Sequence, residues 1–161
     1  MLLSSFGSGS RSWRNEKLFN ADMLNRQDEQ LIDAAREAIT QRYRNDWQEV
    51  GAALRTRDGR IYTGVNLDAY LGRMAVCAEA VALGRAVTES GEMGIDTIVA
   101  VRHPAPGEKH QDIGVVSPCG ACRELIADYD RNARVIVPGP NGPESVKIAA
   151  LLPNKYSRER N

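Results

Sequence analysis

The three cysteines of this 161-residue chain fall in two short stretches, Cys77-Ala78-Glu79 and Pro118-Cys119-Gly120-Ala121-Cys122. Cys-x-x-Cys lets two thiolates reach one ion from a single turn, and Cys77 supplies a third ligand. Structural zinc sites normally close with four protein ligands, whereas catalytic sites hold three and keep the fourth position for water. Cys77, Cys119 and Cys122 therefore describe an open zinc site. Glu79, two residues after a ligand, is placed to handle the protons of that water.

Local patterns frame the two stretches. Over residues 26–43, Leu31, Ile32, Ala35, Ala38 and Ile39 share one helical face, Glu29, Asp33 and Glu37 take the opposite one, and Asp28 lies where an acid favours the helix N-terminus. Residues 50–55 and 61–65 flank Asp58-Gly59, a hairpin signal. Residues 66–73 read as a loop reaching the site. A helix is expected over about residues 75–89, with a small-residue face from Ala78, Val81, Ala82 and Ala86 and an end at Gly91 and Gly94. Residues 97–101 form an unbroken apolar run, the mark of a strand covered on both faces. A polar surface loop follows at 103–112. A further helix is expected at 119–129, a strand at 134–137, and a last strand or helix at 146–152. This alternation predicts an α/β or layered α/β/α domain over residues 26–161. Residues 1–25 read as an arm, linker-like from Ser4 to Ser10, either a natural extension or an expression remnant.

Both cysteine stretches fall at expected helix starts, where free N–H groups and the helix dipole favour thiolate over thiol. Zinc held there lowers the pKa of its water, making hydroxide available near neutral pH. Three thiolates against Zn²⁺ leave a formal charge of −1. The two dipoles and Arg123, next to Cys122, are candidates for offsetting it. Glu79 is then placed to act first as general base toward that water and next as general acid toward a leaving group. In the structural alternative, His103 or His110 closes the site as fourth ligand and Glu79 has no task. Arg123 is equally readable as an ordinary charged helix position.

Composition narrows the partners. With 21 basic and 21 acidic side chains, the chain lacks the excess of cations that a broad nucleic-acid face requires. A small, weakly charged substrate fits better, although a local strip such as Arg11, Arg14 and Lys17 stays open. An odd cysteine count argues against a disulfide framework and for a reducing compartment, most simply the cytoplasm. No apolar run approaches the roughly 20 residues needed to span a bilayer.

Val50-Gly51-Ala52-Ala53-Leu54, the run from Asp58 to Asn66, Cys77-Ala78-Glu79, Ser117-Pro118-Cys119-Gly120-Ala121-Cys122-Arg123 and Leu151-Leu152-Pro153 together resemble the cytidine deaminase family, in order and spacing, over about residues 28–156. The chain is also similar to blasticidin S deaminase of the same superfamily. The resemblance implies a three-layer α/β/α fold with a mixed five-stranded sheet and a homotetramer. It also implies zinc-dependent hydrolytic deamination of cytidine or deoxycytidine with ammonia release. Carried over residue by residue, Cys77, Cys119 and Cys122 hold zinc and Glu79 shuttles the proton. Asn66 and Asp68 bind the ribose 3′-hydroxyl, and Ala78 is grouped with them as substrate-binding.

The departures concern the substrate. Arg44-Asn45-Asp46-Trp47-Gln48 stands where cytidine deaminases show Pro-Tyr-Ser-x-Phe, and Asp68 stands where Glu is usual. Gly72 falls in the place of the family's Tyr, Ala80 where many three-cysteine members carry Arg, and Tyr156 where Phe is usual. A modified or aminoacyl-linked cytosine nucleoside is therefore the second substrate reading. A non-catalytic, zinc-stabilised oligomer is the reading from another class.

Overall fold

Asn25 opens the first helix, α1 (Arg26–Arg42), with a reciprocal cap: its Oδ1 accepts from Asp28 N at 3.0 Å, and Asp28 Oδ2 accepts from Asn25 N at 3.3 Å. The computed structural model describes residues 23–156. Most of the expected arm, residues 1–22, lies outside the described residues, as do residues 157–161. After α1 come β1 (Val50–Thr56), β2 (Ile61–Val65), a 3-10 turn (Gly72–Met74), α2 (Ala78–Ser90) and β3 (Ile95–Arg102). The chain continues through β4 (Gly114–Val116), α3 (Gly120–Tyr129), β5 (Arg134–Gly139), β6 (Gly142–Lys147) and α4 (Ile148–Leu151).

One mixed sheet runs in the order β2-β1-β3-β5-β6, with β4 also paired to β3. Six strands replace the expected five, and the reason is one of length. β5 pairs in parallel with Thr97, Ile98 and Val99, which leaves the next three residues of the eight-residue β3 open on that edge. β4 fills this gap, pairing antiparallel with Ala100, Val101 and Arg102. The expected last strand or helix is both, because β6 ends at Lys147 and α4 begins at the next residue.

Period-2 alternation divides the core into two. Ala53, Val99, Val101 and Ile136 face α1, where Leu31, Ile32, Ala35 and Ile39 meet them. Ala52, Leu54, Ile98, Ala100, Val135 and Val137 face the opposite side, against Ala78, Ala82, Leu83, Ala86, Cys122 and Ile126 of α2 and α3. The resulting three layers place α2 and α3 side by side on one face of the sheet, and their N-termini carry the cysteines.

Two glycines set how closely the layers approach. A Cβ on Gly64 of β2 would lie 2.6 Å from Ala82 N and 2.7 Å from Ala78 O, so the strand rests on the backbone of α2 itself. Gly51 makes a similar approach to Ala35 O of α1. Gly64→Ala is therefore expected to push α2 off the sheet. Stability should fall by about 1–3 kcal/mol, measured by denaturant unfolding, and zinc affinity should fall with it because α2 carries Cys77.

Candidate active site

Cys77 is the N-cap of α2 and Cys119 the N-cap of α3, both in extended backbone conformation. Cys122 sits in the first turn of α3, buried. β4 delivers the chain into Ser117-Pro118-Cys119, and Cys119 Sγ accepts from Cys122 N at 3.5 Å. The Sγ atoms of Cys77 and Cys119 are 3.6 Å apart, and all three Sγ atoms lie within 4.8 Å of one another. A tetrahedral ion with Zn–S bonds of about 2.3 Å needs sulfurs about 3.8 Å apart. The donor set fits zinc in number, softness and spacing. This group is the metal-capable cluster found among the described residues, and it contains no histidine. His103 instead stacks on Tyr43 with ring centroids 3.8 Å apart, and its Nδ1 lies 2.8 Å from Pro104 O. His110 is exposed in the 103–112 loop.

Glu79 belongs to the first turn of α2 yet is only 5% exposed, which is exceptional for a helix carboxylate unless something nearby uses it. Burial raises its pKa, while hydrogen bonds from its own N–H and the Cys122 thiol pull the other way. Burial likewise raises the Cys122 thiol, with the charges of Glu79 and Cys77 adding to the effect. Cys119 is also penalised by burial, but the N–H groups at the start of α3, the Cys122 N–H foremost, bring its pKa below that of an ordinary thiol. The helix-terminus expectation thus holds at Cys119 but not at Cys77, whose thiol is pushed up by burial and by the neighbouring Cys119.

A cavity of about 320 Å³ opens beside this cluster, lined by Cys77, Ala78, Glu79 and Cys119 together with Val50, Asn66, Leu67 and Asp68. Backbone hydrogen bonds between Leu67 and Val76, 2.9 and 2.8 Å, close the intervening loop and bring Asn66 and Asp68 back to Cys77. The structure thus gathers Ala78, Asn66 and Asp68 around one cavity. Asn66 has further duties. Its Oδ1 accepts from Glu49 N and Val50 N, both at 2.9 Å, and its Nδ2 donates to Trp47 O at 2.9 Å. Both lone pairs of that oxygen are engaged, so a ligand can reach Asn66 only through its second Nδ2 hydrogen. Asp68 is exposed, and its Oδ1 accepts from Ala69 N.

Arg123 donates from Nε to Pro118 O at 2.9 Å and from Nη1 to Leu151 O at 3.3 Å. It braces the loop that presents Cys119 against the C-terminal α4. The sequence alone does not show this bracing, since Leu151 is 28 residues away.

The family model described as "Cytidine and deoxycytidylate deaminase zinc-binding region" matches residues 25–138, which include every residue of the cluster. The chain belongs to the cytidine and deoxycytidylate deaminase family. Within the family, the chain is 46% identical to a blasticidin-S deaminase of Bacillus cereus, over 88% of this chain and 99% of that protein. It is 38% identical to a cytidine deaminase of Sporosarcina psychrophila, over 68% and 76% of the two chains. Among solved structures, the cytidine deaminase of Bacillus anthracis superimposes with a TM-score of 0.68 at 26% identity, covering 82% of this chain and 90% of that one. The three-layer fold and the zinc-binding character are those of the family. No helix among the described residues is long and apolar enough to cross a membrane.

Proposed function

We propose that the protein is an aminohydrolase that replaces the exocyclic amine of a cytosine nucleoside by a carbonyl and releases ammonia. The observation that carries this reading is the juxtaposition of three mutually close thiols with a buried carboxyl on the wall of a nucleoside-sized cavity. Cys77, Cys119 and Cys122 would hold the ion. Bound there, zinc supplies a water acidic enough to serve as nucleophile near neutral pH.

Glu79 would take a proton from the water that attacks the amine-bearing carbon, and would give a proton to the leaving nitrogen as the C–N bond breaks. A carboxyl whose pKa burial raises is well suited to hold that proton between the two halves of the reaction. Asp68, on the cavity lining, is the acceptor for a sugar hydroxyl, and Asn66 orients that wall while offering its remaining N–H. The small side chain of Ala78 leaves room for the base beside the ligands. Arg123 keeps Cys119 in place and contributes positive charge near the thiolate set.

For the substrate, the near full-length likeness to a blasticidin-S deaminase moves blasticidin S ahead of cytidine, which the sequence alone puts first. The changes at Gln48, Asp68 and Gly72 agree with this order. Steady-state deamination of cytidine, deoxycytidine and blasticidin S by zinc-loaded protein tests it. The expected result is a kcat/KM for blasticidin S at least tenfold above that for cytidine. A cytidine value equal or higher would reverse the assignment.

Assembly belongs to the same proposal. Leu67, Leu71, Met74 and Val76 are exposed along one loop, and a homotetramer would cover apolar surface of this kind. Light scattering should return four times the chain mass. A monomeric mass would remove the tetramer.

A further inference from the structure

We propose that Tyr70, held against Trp47, is a specificity-determining residue that contacts the part of the substrate farthest from the reacting amine. The inference rests on reading the site as a deaminase of cytosine nucleosides. The amine-bearing carbon must lie beside the cysteines and Glu79, which leaves the remaining lining residues, Val50, Asn66 and Asp68 among them, for the rest of the substrate. At about 320 Å³ the cavity is at the small end of ligand pockets, which run from about 300 to 1,000 Å³. A simple nucleoside can be enclosed, whereas a longer substituent on the sugar has to extend beyond the cavity.

An aromatic pair adjoins these lining residues along the chain. Trp47 is tied to the cavity wall through its carbonyl, which accepts from Asn66 Nδ2 at 2.9 Å. Tyr70 follows two residues after Asp68. The two rings meet edge to face with centroids 5.4 Å apart at 61°. This contact joins the segment before β1 to the loop before α2, the two segments whose Asn66 and Asp68 neighbours line the cavity. Tyr70 nevertheless remains 98% exposed. A side chain that buries so little of its own surface contributes little to folding, since apolar stabilisation follows the area removed from water. Its fixed ring is instead available to a ligand, offering a flat apolar face or, to a cationic group, the electron-rich face of the ring.

Calorimetric binding of cytidine and of blasticidin S to zinc-loaded Glu79→Gln protein, with Tyr70 intact or replaced by Ala or Phe, tests the proposal. Tyr70→Ala should weaken blasticidin S by roughly three- to tenfold more than it weakens cytidine, and Tyr70→Phe should restore most of the loss. Equal weakening of both ligands, or no weakening of either, would overturn the proposal. A changed assembly mass in Tyr70→Ala would assign the side chain to a contact between copies and overturn it too. Failure of Glu79→Gln protein carrying one zinc per chain to bind either nucleoside would instead bring down the reading of the site on which the proposal rests.

Discussion

Glu79→Gln is expected to keep its zinc and to lose deamination by on the order of 10³-fold or more. The substitution preserves length and shape, so the turn between Cys77 and the rest of α2 should not move. It removes the one buried carboxyl among the cavity-lining residues, the group to which the proposed mechanism gives both proton transfers. An amide can do neither step. The loss should therefore fall mainly on kcat, with substrate affinity changed far less. Metal analysis beside steady-state kinetics checks it. If zinc leaves together with activity, Glu79 is part of what holds the ion, and the division between three ligands and one proton carrier fails.

Asp28→Asn should be the most damaging substitution remote from the cleft, at about 3–5 kcal/mol, the range for removing one partner of a buried pair. Asp28 is fully buried in the first turn of α1. Its Oδ1 accepts from Arg55 Nη2 at 3.1 Å and its Oδ2 from Arg134 Nη2 at 2.5 Å, so α1, β1 and β5 meet on one carboxylate. Arg55 is itself only 7% exposed and also binds Asp96 Oδ2 at 2.7 Å. Asparagine would leave two guanidinium groups without their central counter-charge.

The same residue links stability to pH. Burial raises the pKa of Asp28, but hydrogen bonds from Arg134, from Asn25 N–H and from Arg55 outweigh it and leave the value below that of an ordinary aspartate. A depressed folded-state pKa means that the contribution is fully present above the unfolded value of about 3.9 and is lost as pH falls from there through the folded value. Urea midpoints should therefore decline on the acid side more steeply for wild type than for Asp28→Asn. Parallel acid limbs would show that Asp28 is not the linked group.

Much of this architecture is legible in the sequence where local chemistry decides it. Gly59 takes φ 88° in the β1–β2 turn because Asp-Gly turns need that conformation. The 97–101 run is buried throughout because the sheet is covered on both faces. Cys77 and Cys119 both cap helices, where their spacing and the apolar periodicity place them.

What the sequence conceals depends on distant partners. Asp28 reads as a helix-start acid, yet its arginines lie 27 and 106 residues away. Its spacing of three and four residues from Leu31 and Ile32 put it on the buried face, and that was the available signal. β4 is three residues long and exists because β5 leaves part of β3 unpaired, a fact of sheet geometry rather than of Val115-Val116. Asn66 is visible as a site residue through the resemblance, but its brace on residues 47–50 appears only once the loop is folded. Tyr70 gives no sequence signal for its contact with Trp47.

Ammonia release from protein carrying one zinc per chain tests the deaminase reading most directly, with cytidine, deoxycytidine and blasticidin S as substrates. The expected result is equimolar ammonia and uracil-containing product from at least one of them, abolished by chelation and restored by Zn²⁺. Protein with a full complement of zinc that releases no ammonia from any of the three would contradict it.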